Sequence, residues 1–237
     1  METMFVKKIL VAEDEDAIRE FVVINLRRSG YDVYDVNNGT DALAAYDSSG
    51  GSFDIALLDV MMPGMDGISV CRELRKRTGS LGIIMLTAKA QEMDKISGLM
   101  NGADDYITKP FSPSELMARV DALYRRVALR DVSEQTYCEE LKSGDFVLNL
   151  RNRTLSKNDE LVELTQVEFQ IMEYFFANTG TALSRSDILK HVWGEEYFGE
   201  EKIVDVNIRR LRMKIEEQPS SPRHIVTIWG FGYKWEA

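Results

Sequence analysis

Residues 53–67 read FDIALLDVMMPGMDG: a short apolar run closed by Asp59, a turn punctuated by Gly64, and then a helical pattern over 67–77. The same unit recurs on both sides of it. KKILVA (7–12) runs into Glu13 and Asp14, GIIMLT (82–87) closes on Thr87, and DDYITK (104–109) closes on Lys109. Short apolar runs alternating with amphipathic helical stretches describe βα units on a parallel sheet. Ligands of such sheets bind in the crevice at the carboxyl ends of the strands. Asp14, Asp59, Thr87 and Lys109 all fall there. Two acids, a hydroxyl and an ammonium converging at one edge form a site for a metal and a phosphoryl group.

Taken singly, these residues say little. A strand-end Asp is more often a turn or cap residue, and a Lys before Pro is usually a solvated loop charge. Four suitable residue types at four successive strand ends carry the reading. Glu13, Asp14 and Asp59 would stand within a few ångströms of one another, which is costly unless a cation compensates them. Hard oxygen ligands beside an incoming phosphate favour Mg²⁺, with the carbonyl of Met61 completing the shell. Asp59 is then the nucleophile, and Lys109 and Thr87 offer a cation and a donor to the phosphoryl oxygens.

At 237 residues the chain accommodates two modest domains. No apolar stretch approaches the roughly 18 residues that span a bilayer. The opening METMFVKKILVAEDED turns acidic too soon for a signal peptide. Cys71 and Cys138 show no metal-type spacing, so the expectation is a cytoplasmic protein in a reducing compartment, without a membrane. Net charge is −10 but uneven. Residues 1–140 carry 16 Lys/Arg against 24 Asp/Glu, whereas 141–237 carry 13 against 15. Within 202–214, Lys202, Arg209, Arg210, Arg212 and Lys214 face a single acid, Asp205. A basic stripe on one element docks on phosphate even when the whole chain is acidic.

The first part of the chain reads as five βα repeats. Strands are expected near 7–12, 32–36, 53–58, 82–87 and 104–108, and helices near 16–29, 40–48, 67–77, 92–101 and 113–127. This gives an α/β domain over 1–128, a polar linker over 129–141 and a second domain over 142–237. In the latter, short strands near 145–149, 153–156 and 160–163 precede helices at 166–178, 185–191 and 202–217. A hairpin around Gly230 and Gly232 ends the chain. Thr165 before Glu168, and Ser184 before Asp187, have capping-box spacing.

VAEDED (11–16), LLDVMMPGMDG (57–67), MLTAK (85–89) and DDYITKPF (104–111) resemble the signature set of response-regulator receiver domains. The resemblance implies a flavodoxin-like fold with a five-stranded parallel sheet and a sensor histidine kinase as phosphoryl donor. It also implies a cis Lys109–Pro110 bond, Mg²⁺ held by Glu13, Asp14 and Asp59, and Thr87 and Tyr106 as a switch pair. Leu81-Gly82 stands where the family usually has Pro ahead of the fourth strand. Lys95, Asp104, Asp105, Glu115, Arg119 and Arg126 are similar in position to the salt-bridging residues of OmpR/PhoB receivers. There Lys95 would meet Glu115, Asp105 would meet Arg119, and Asp104 would meet Arg126 across a two-fold axis of a homodimer. By spacing alone, Glu115 and Arg119 also suit an intrahelical i,i+4 pair.

In the 202–217 helix, Val204, Ile208, Leu211 and Ile215 form an apolar stripe. Lys202, Val206, Arg209, Arg210 and Met213 are expected opposite it. A helix packed on one side with a basic outer face suits the major groove. A preceding helix pair and a following Gly-rich hairpin make it an α+β winged helix-turn-helix. LTQVEFQIMEYF (164–175), SRSDILKHVWG (184–194), VDVNIRRLRMKI (204–215) and TIWGFGYKW (227–235) resemble the effector domain of the OmpR/PhoB family. The resemblance implies promoter DNA as partner, with RNA polymerase as a further candidate. It assigns contacts to Lys202, Asn207, Arg209, Arg210, Arg212, Thr227, Trp229 and Tyr233, with Arg210 as the base-edge residue. Trp229 departs from the Arg common at that wing position, and the wing is similar to that of VanR-like regulators.

Two other classes stand beside this reading. Phosphohydrolases with an aspartyl-phosphate intermediate usually carry a second acid two residues past the nucleophile, and that position is Met61. A phosphate-independent DNA-binding protein would be expected to lose a member of the acid–Thr–Lys set. No Walker-type phosphate loop is present.

Overall fold

The computed structural model describes residues 7–88, 101–128, 140–195, 197 and 199–237, and the chain divides into two units, Met1–Ala128 and Leu129–Ala237. The first unit runs β1 (Lys8–Ala12), α1 (Asp16–Arg28), β2 (Asp32–Val36), α2 (Gly39–Ser48), β3 (Ile55–Asp59), α3 (Gly67–Arg77), β4 (Gly82–Ala88), β5 (Asp105–Lys109) and α4 (Pro113–Ala128). The helix expected near 92–101 lies, but for its last residue, outside the described residues. All strand pairings are parallel, in the order β2-β1-β3-β4-β5.

Period-two alternation selects one face of the sheet. Ile9 and Val11 of β1, Ile55 and Leu57 of β3, Ile84 and Leu86 of β4, and Ile107 of β5 form a buried cluster with Val22 and Leu26 of α1 and Leu116, Val120 and Leu123 of α4. Each such side chain contributes about 1.5–3 kcal/mol on burial. The register sets Ala12, Leu58, Met85 and Tyr106 side by side. The next residues of β1 and β3 are therefore Glu13 and Asp59, at one edge.

Helix α3 leaves that edge at once. Asp66 caps it by accepting the Ser69 N–H at 2.7 Å. Gly67 donates its N–H to Val60 O at 3.1 Å, and a Cβ at this residue would lie 2.0 Å from Asp59 O. No side chain fits without moving the backbone that carries Asp59. Gly67→Ala is expected to destabilise this unit by about 1–3 kcal/mol, as overpacking does. A melting curve indistinguishable from wild type would show that the backbone yields freely.

The second unit runs β6 (Glu140–Ser143), β7 (Phe146–Asn149), β8 (Thr154–Lys157), β9 (Glu160–Val162), α5 (Gln166–Ala177), β10 (Ala182–Ser184), α6 (Arg185–Trp193), α7 (Lys202–Ile215), β11 (Ile225–Ile228) and β12 (Gly232–Trp235). Strands β6-β7-β8-β9 form an antiparallel sheet, and β10-β12-β11 form a second. The expected linker over 129–141 runs at its end into β6, and 129–139 lie outside the described residues. ELKS has no strand periodicity of its own. Pairing with β7 makes it a strand, and Ser143 accepts the buried Trp235 indole N–H at 2.8 Å. Both expected capping boxes are present, at Thr165/Glu168 and Ser184/Asp187.

Candidate functional site

Glu13 and Asp59 are buried at the strand ends and Asp14 is exposed beside them, with a ligand oxygen of each within 4.8 Å of the others. Lys109 reaches across the edge from the end of β5. Its Nζ lies 2.8 Å from Asp59 Oδ1, and 2.7 and 2.9 Å from Glu13 Oε2 and Oε1. Burial pushes the Glu13 carboxyl above its ordinary range; the Lys109 bond opposes this and the Asp59 charge adds to it. Burial likewise raises Asp59, against the Lys109 bond and charge. Burial works against the Lys109 charge, but its bonds to Asp59 and Glu13 outweigh it and hold its pKa above the usual lysine value.

Two of the three carboxylates, Glu13 and Asp59, thus share one ammonium, and Asp14 stands beside them without it. That donor set, all hard oxygen with negative charge in excess, fits a small divalent cation such as Mg²⁺. Met61 is 71% exposed at the rim, and its backbone N–H bonds the Asp59 side chain. Thr87 is buried one residue past the strand row of Asp59, its hydroxyl donating to Ala88 O at 3.4 Å. Tyr106 is buried as well. The Lys109–Pro110 bond is cis.

The charges expected on a dimer face are largely engaged inside the subunit. Arg119 Nη1 lies 3.1 Å from Asp105 Oδ1, and Nη2 lies 3.3 Å from Glu115 Oε1. Asp104 was expected to point at a second copy, but its side chain is buried. It binds Arg75 Nη2 at 2.6 Å and the Ile83 N–H at 2.8 Å. Arg75, which the sequence reading did not single out, also donates to Gly102 O at 2.7 Å and Leu81 O at 2.5 Å. It ties α3 to the approach to β5. Lys95 and the Arg126 side chain lie outside the described residues.

In the second unit α7 packs against both α5 and α6, so it buries more of its circumference than one apolar stripe. Val206, Asn207 and Arg210 are buried with Ile203, Val204, Ile208, Leu211 and Ile215. Val206 and Arg210 were expected on the outer face, and their burial corrects that placement. Arg210 is 6% exposed and pairs with Glu168 Oε1 at 2.9 Å. Asn207 donates to Ile203 O at 2.8 Å and accepts from Arg210 at 3.2 Å. The outward stripe is instead Lys202, Asp205, Arg209, Arg212 and Met213, spaced three and four apart.

Arg212 is half-buried and turned toward the wing. It donates to Ile225 O from Nε at 3.0 Å and from Nη2 at 2.6 Å, and to Thr227 Oγ1 at 2.8 Å. Tyr233, expected at the DNA backbone, is buried. Its hydroxyl donates to Asp205 Oδ1 at 2.6 Å, and burial together with that bond pushes its pKa up to about 12. Arg185 joins the same oxygen at 2.7 Å. Asp205 therefore fastens α6, α7 and the wing together, a role its exposed place among basic residues gave no sign of. Glu168 was legible as a cap but not as the counter-ion of Arg210 and Lys214.

Residues 9–121 match the family of response regulator receiver domains, and residues 158–235 match that of the C-terminal domain of transcriptional regulatory proteins. The sensory transduction protein RegX3 of Mycolicibacterium smegmatis is 42% identical over 228 residues, covering 96% of this chain and 98% of that protein. RegX3 of Mycobacterium tuberculosis is 41% identical over the same shares. Among solved structures, a RitR mutant aligns with a TM-score of 0.74 at 26% identity, covering 97% of this chain and 99% of that one. DrrB, a Thermotoga maritima OmpR/PhoB homolog, aligns with a TM-score of 0.51 at 30% identity, covering 98% and 100%. Relatedness at this level runs through both units, and the chain belongs to the OmpR/PhoB type of two-component response regulators, which join a receiver to a winged-helix DNA-binding domain and regulate transcription.

Proposed function

We propose that this regulator takes a phosphoryl group onto Asp59 from a cognate sensor histidine kinase in the cytoplasm, dimerises through the receiver, and thereby binds promoter DNA more tightly. The observation that carries this is the strand-end cluster, in which Lys109 Nζ lies 2.8 Å from Asp59 Oδ1 among three carboxylates. An Asp59 carboxylate oxygen forms the new bond to phosphorus. The bond from phosphorus to the kinase imidazole breaks, and its electron pair leaves with the imidazole nitrogen. Glu13, Asp14, Asp59 and the Met61 carbonyl would hold Mg²⁺, which supplies charge neutralisation for the acids and the phosphoryl oxygens. Lys109 exchanges part of its contact with Glu13 for the phosphoryl group, and Thr87 turns its hydroxyl from Ala88 O to a phosphoryl oxygen. Thr87 and Tyr106 would act as the switch pair, with the Thr87 hydroxyl on the phosphoryl group holding Tyr106 in its buried position.

Dimerisation would use Lys95, Glu115, Asp105, Arg119 and Arg126. The Asp105–Arg119 pair would exchange its internal partner for the same partner from a second copy, which costs little because the bonds are alike. Asp104 would join only by sharing its carboxylate with Arg75. In DNA binding, Lys202 and Arg209 are the outward cations, Arg212 and Thr227 set the wing, and Trp229 extends it. The chain is a transcription factor whose only chemistry is turnover of its own phosphoryl group.

The test is the mass and the sedimentation of the full chain incubated with Mg²⁺ and acetyl phosphate. A gain of about 80 Da together with a shift from monomer to dimer is expected. A tenfold gain in dimer affinity needs only about 1.4 kcal/mol of differential interaction. Folded protein that gains no mass would sink the phosphoacceptor reading. A mass gain without dimerisation would sink the coupling alone.

A further inference from the structure

Trp229 is 91% exposed, and Phe231, two residues on, is 47% exposed. The other two tryptophans, Trp193 and Trp235, are buried. An indole is the largest apolar group a chain can place in water, and folding gains nothing by leaving it there. Its support is firm. The Phe231 N–H donates to Ile228 O at 3.0 Å to close the turn, with Gly230 at φ 71°. At the base of the hairpin, Arg212 holds Ile225 O and Thr227 Oγ1, and Tyr233 holds Asp205. Arg212 and Asp205 both belong to the outward stripe of α7. The hairpin that carries the aromatic tip is therefore fastened at its base to the helix that carries Lys202 and Arg209.

We infer that Trp229, flanked by Phe231, is an apolar wedge that enters the minor groove beside the major groove occupied by α7 and partly unstacks a base step there, bending the duplex. This rests on the DNA-binding reading above. A duplex offers a cation its phosphates and offers an indole its sugar edges and base faces. Apolar side chains inserted from the minor groove kink DNA by separating adjacent bases. Base–aromatic stacking tolerates any sequence, because every base has a π face. A wedge of this kind adds affinity without releasing counterions, so its contribution does not weaken with salt. It also selects deformable steps at positions where no side chain reads a base edge.

Because Trp229 is the one exposed tryptophan, its fluorescence reports the event directly. The full chain is mixed with a duplex of about 30 base pairs recovered from a random library by its affinity for the wild-type protein. On binding, Trp229 emission is expected to be quenched and shielded from acrylamide. Energy transfer between dyes on the two duplex ends should report a bend. Trp229→Ala is expected to bind about tenfold more weakly, or about 1.4 kcal/mol. Its salt slope should be unchanged and its bound DNA straighter, while Trp229→Phe retains most of both affinity and bend. Unchanged acrylamide access in the complex would overturn the wedge, and so would full shielding of Trp229 in the free protein, which would mean that protein covers the tip. A wild-type chain that retains no duplex at any salt concentration would overturn the DNA-binding reading and the wedge with it.

Discussion

Asp59→Asn is expected to take up no phosphoryl group from acetyl phosphate while folding as well as wild type, or better, without a divalent cation. The amide has no anionic oxygen to attack phosphorus, so the loss of mass gain should be complete. The gain in stability follows from the surroundings of the carboxylate. Asp59 is buried beside Glu13 and Asp14, and burial raises its pKa despite the Lys109 bond. The folded state then holds a proton at Asp59 more tightly than the unfolded chain does. Stability of the metal-free protein therefore falls as pH rises from the ordinary value of 3.8 through the raised folded value, and stays lower above it.

Asparagine removes the Asp59 share of that slope and leaves the Glu13 share, because burial raises that carboxyl too. Lys109 keeps Glu13 at 2.7 Å, so its ammonium is not left alone. Above the window, Asp59→Asn should melt at or above the wild-type temperature in chelator. Mg²⁺ should raise the wild-type melting point by mass action and move the variant much less. A variant that melts well below wild type at neutral pH would show that the Asp59–Lys109 attraction exceeds the cost of burying the acids. Equal Mg²⁺ shifts in both proteins would place the cation elsewhere.

The receiver was legible in the sequence because its signals are local. A βα unit carries its own period, and β1, β3, β4 and β5 each bring an acid, a hydroxyl or an ammonium to the same edge of the sheet. Asp59, Thr87 and Lys109 could be placed without knowing what packs where. The second unit was legible in outline for the same reason, since Thr165/Glu168 and Ser184/Asp187 cap their helices within four residues. What sequence could not supply was the partner of a charge. Arg210 and Arg209 are adjacent and chemically identical, yet one is buried against Glu168 and the other faces water. The difference depends on where α5 crosses α7, and no local pattern carries that. The internal partners of Asp104 and Asp105 were hidden for a like reason, because Arg75 and Arg119 reach them from other elements of the subunit. Strand β6 was missed because ELKS owes its form to β7 and to Trp235.

Breaking the pair behind α7 should cost more than losing any charge on its outer face. Arg210→Met removes one of the two cations on Glu168, which is wholly buried and also accepts the Thr165 N–H at 2.8 Å and the Lys214 ammonium at 2.7 Å. Removing one partner of a buried pair typically costs about 3–5 kcal/mol, because the other charge stays buried. Burial alone would push the Glu168 carboxyl up; the Arg210 and Lys214 charges, with the Lys214 and Thr165 bonds, overcome it and hold its pKa below the ordinary 4.5. That stability is present above the ordinary value and is lost as pH falls through the lowered folded value. Glu168→Gln should flatten this acid limb of the stability profile. Combining it with Arg210→Met should recover part of the single-variant loss, since no carboxylate then remains to be neutralised. DNA affinity separates support from contact. At a temperature where all variants are folded, Lys202→Ala and Arg209→Ala should each lower the slope of log affinity against log salt by about one. Arg210→Met should leave that slope unchanged and weaken binding only through the helix it positions. A slope reduced as much as in Arg209→Ala would mean that Arg210 leaves Glu168 for a phosphate when DNA arrives, and the buried pair would then be the resting half of a switch.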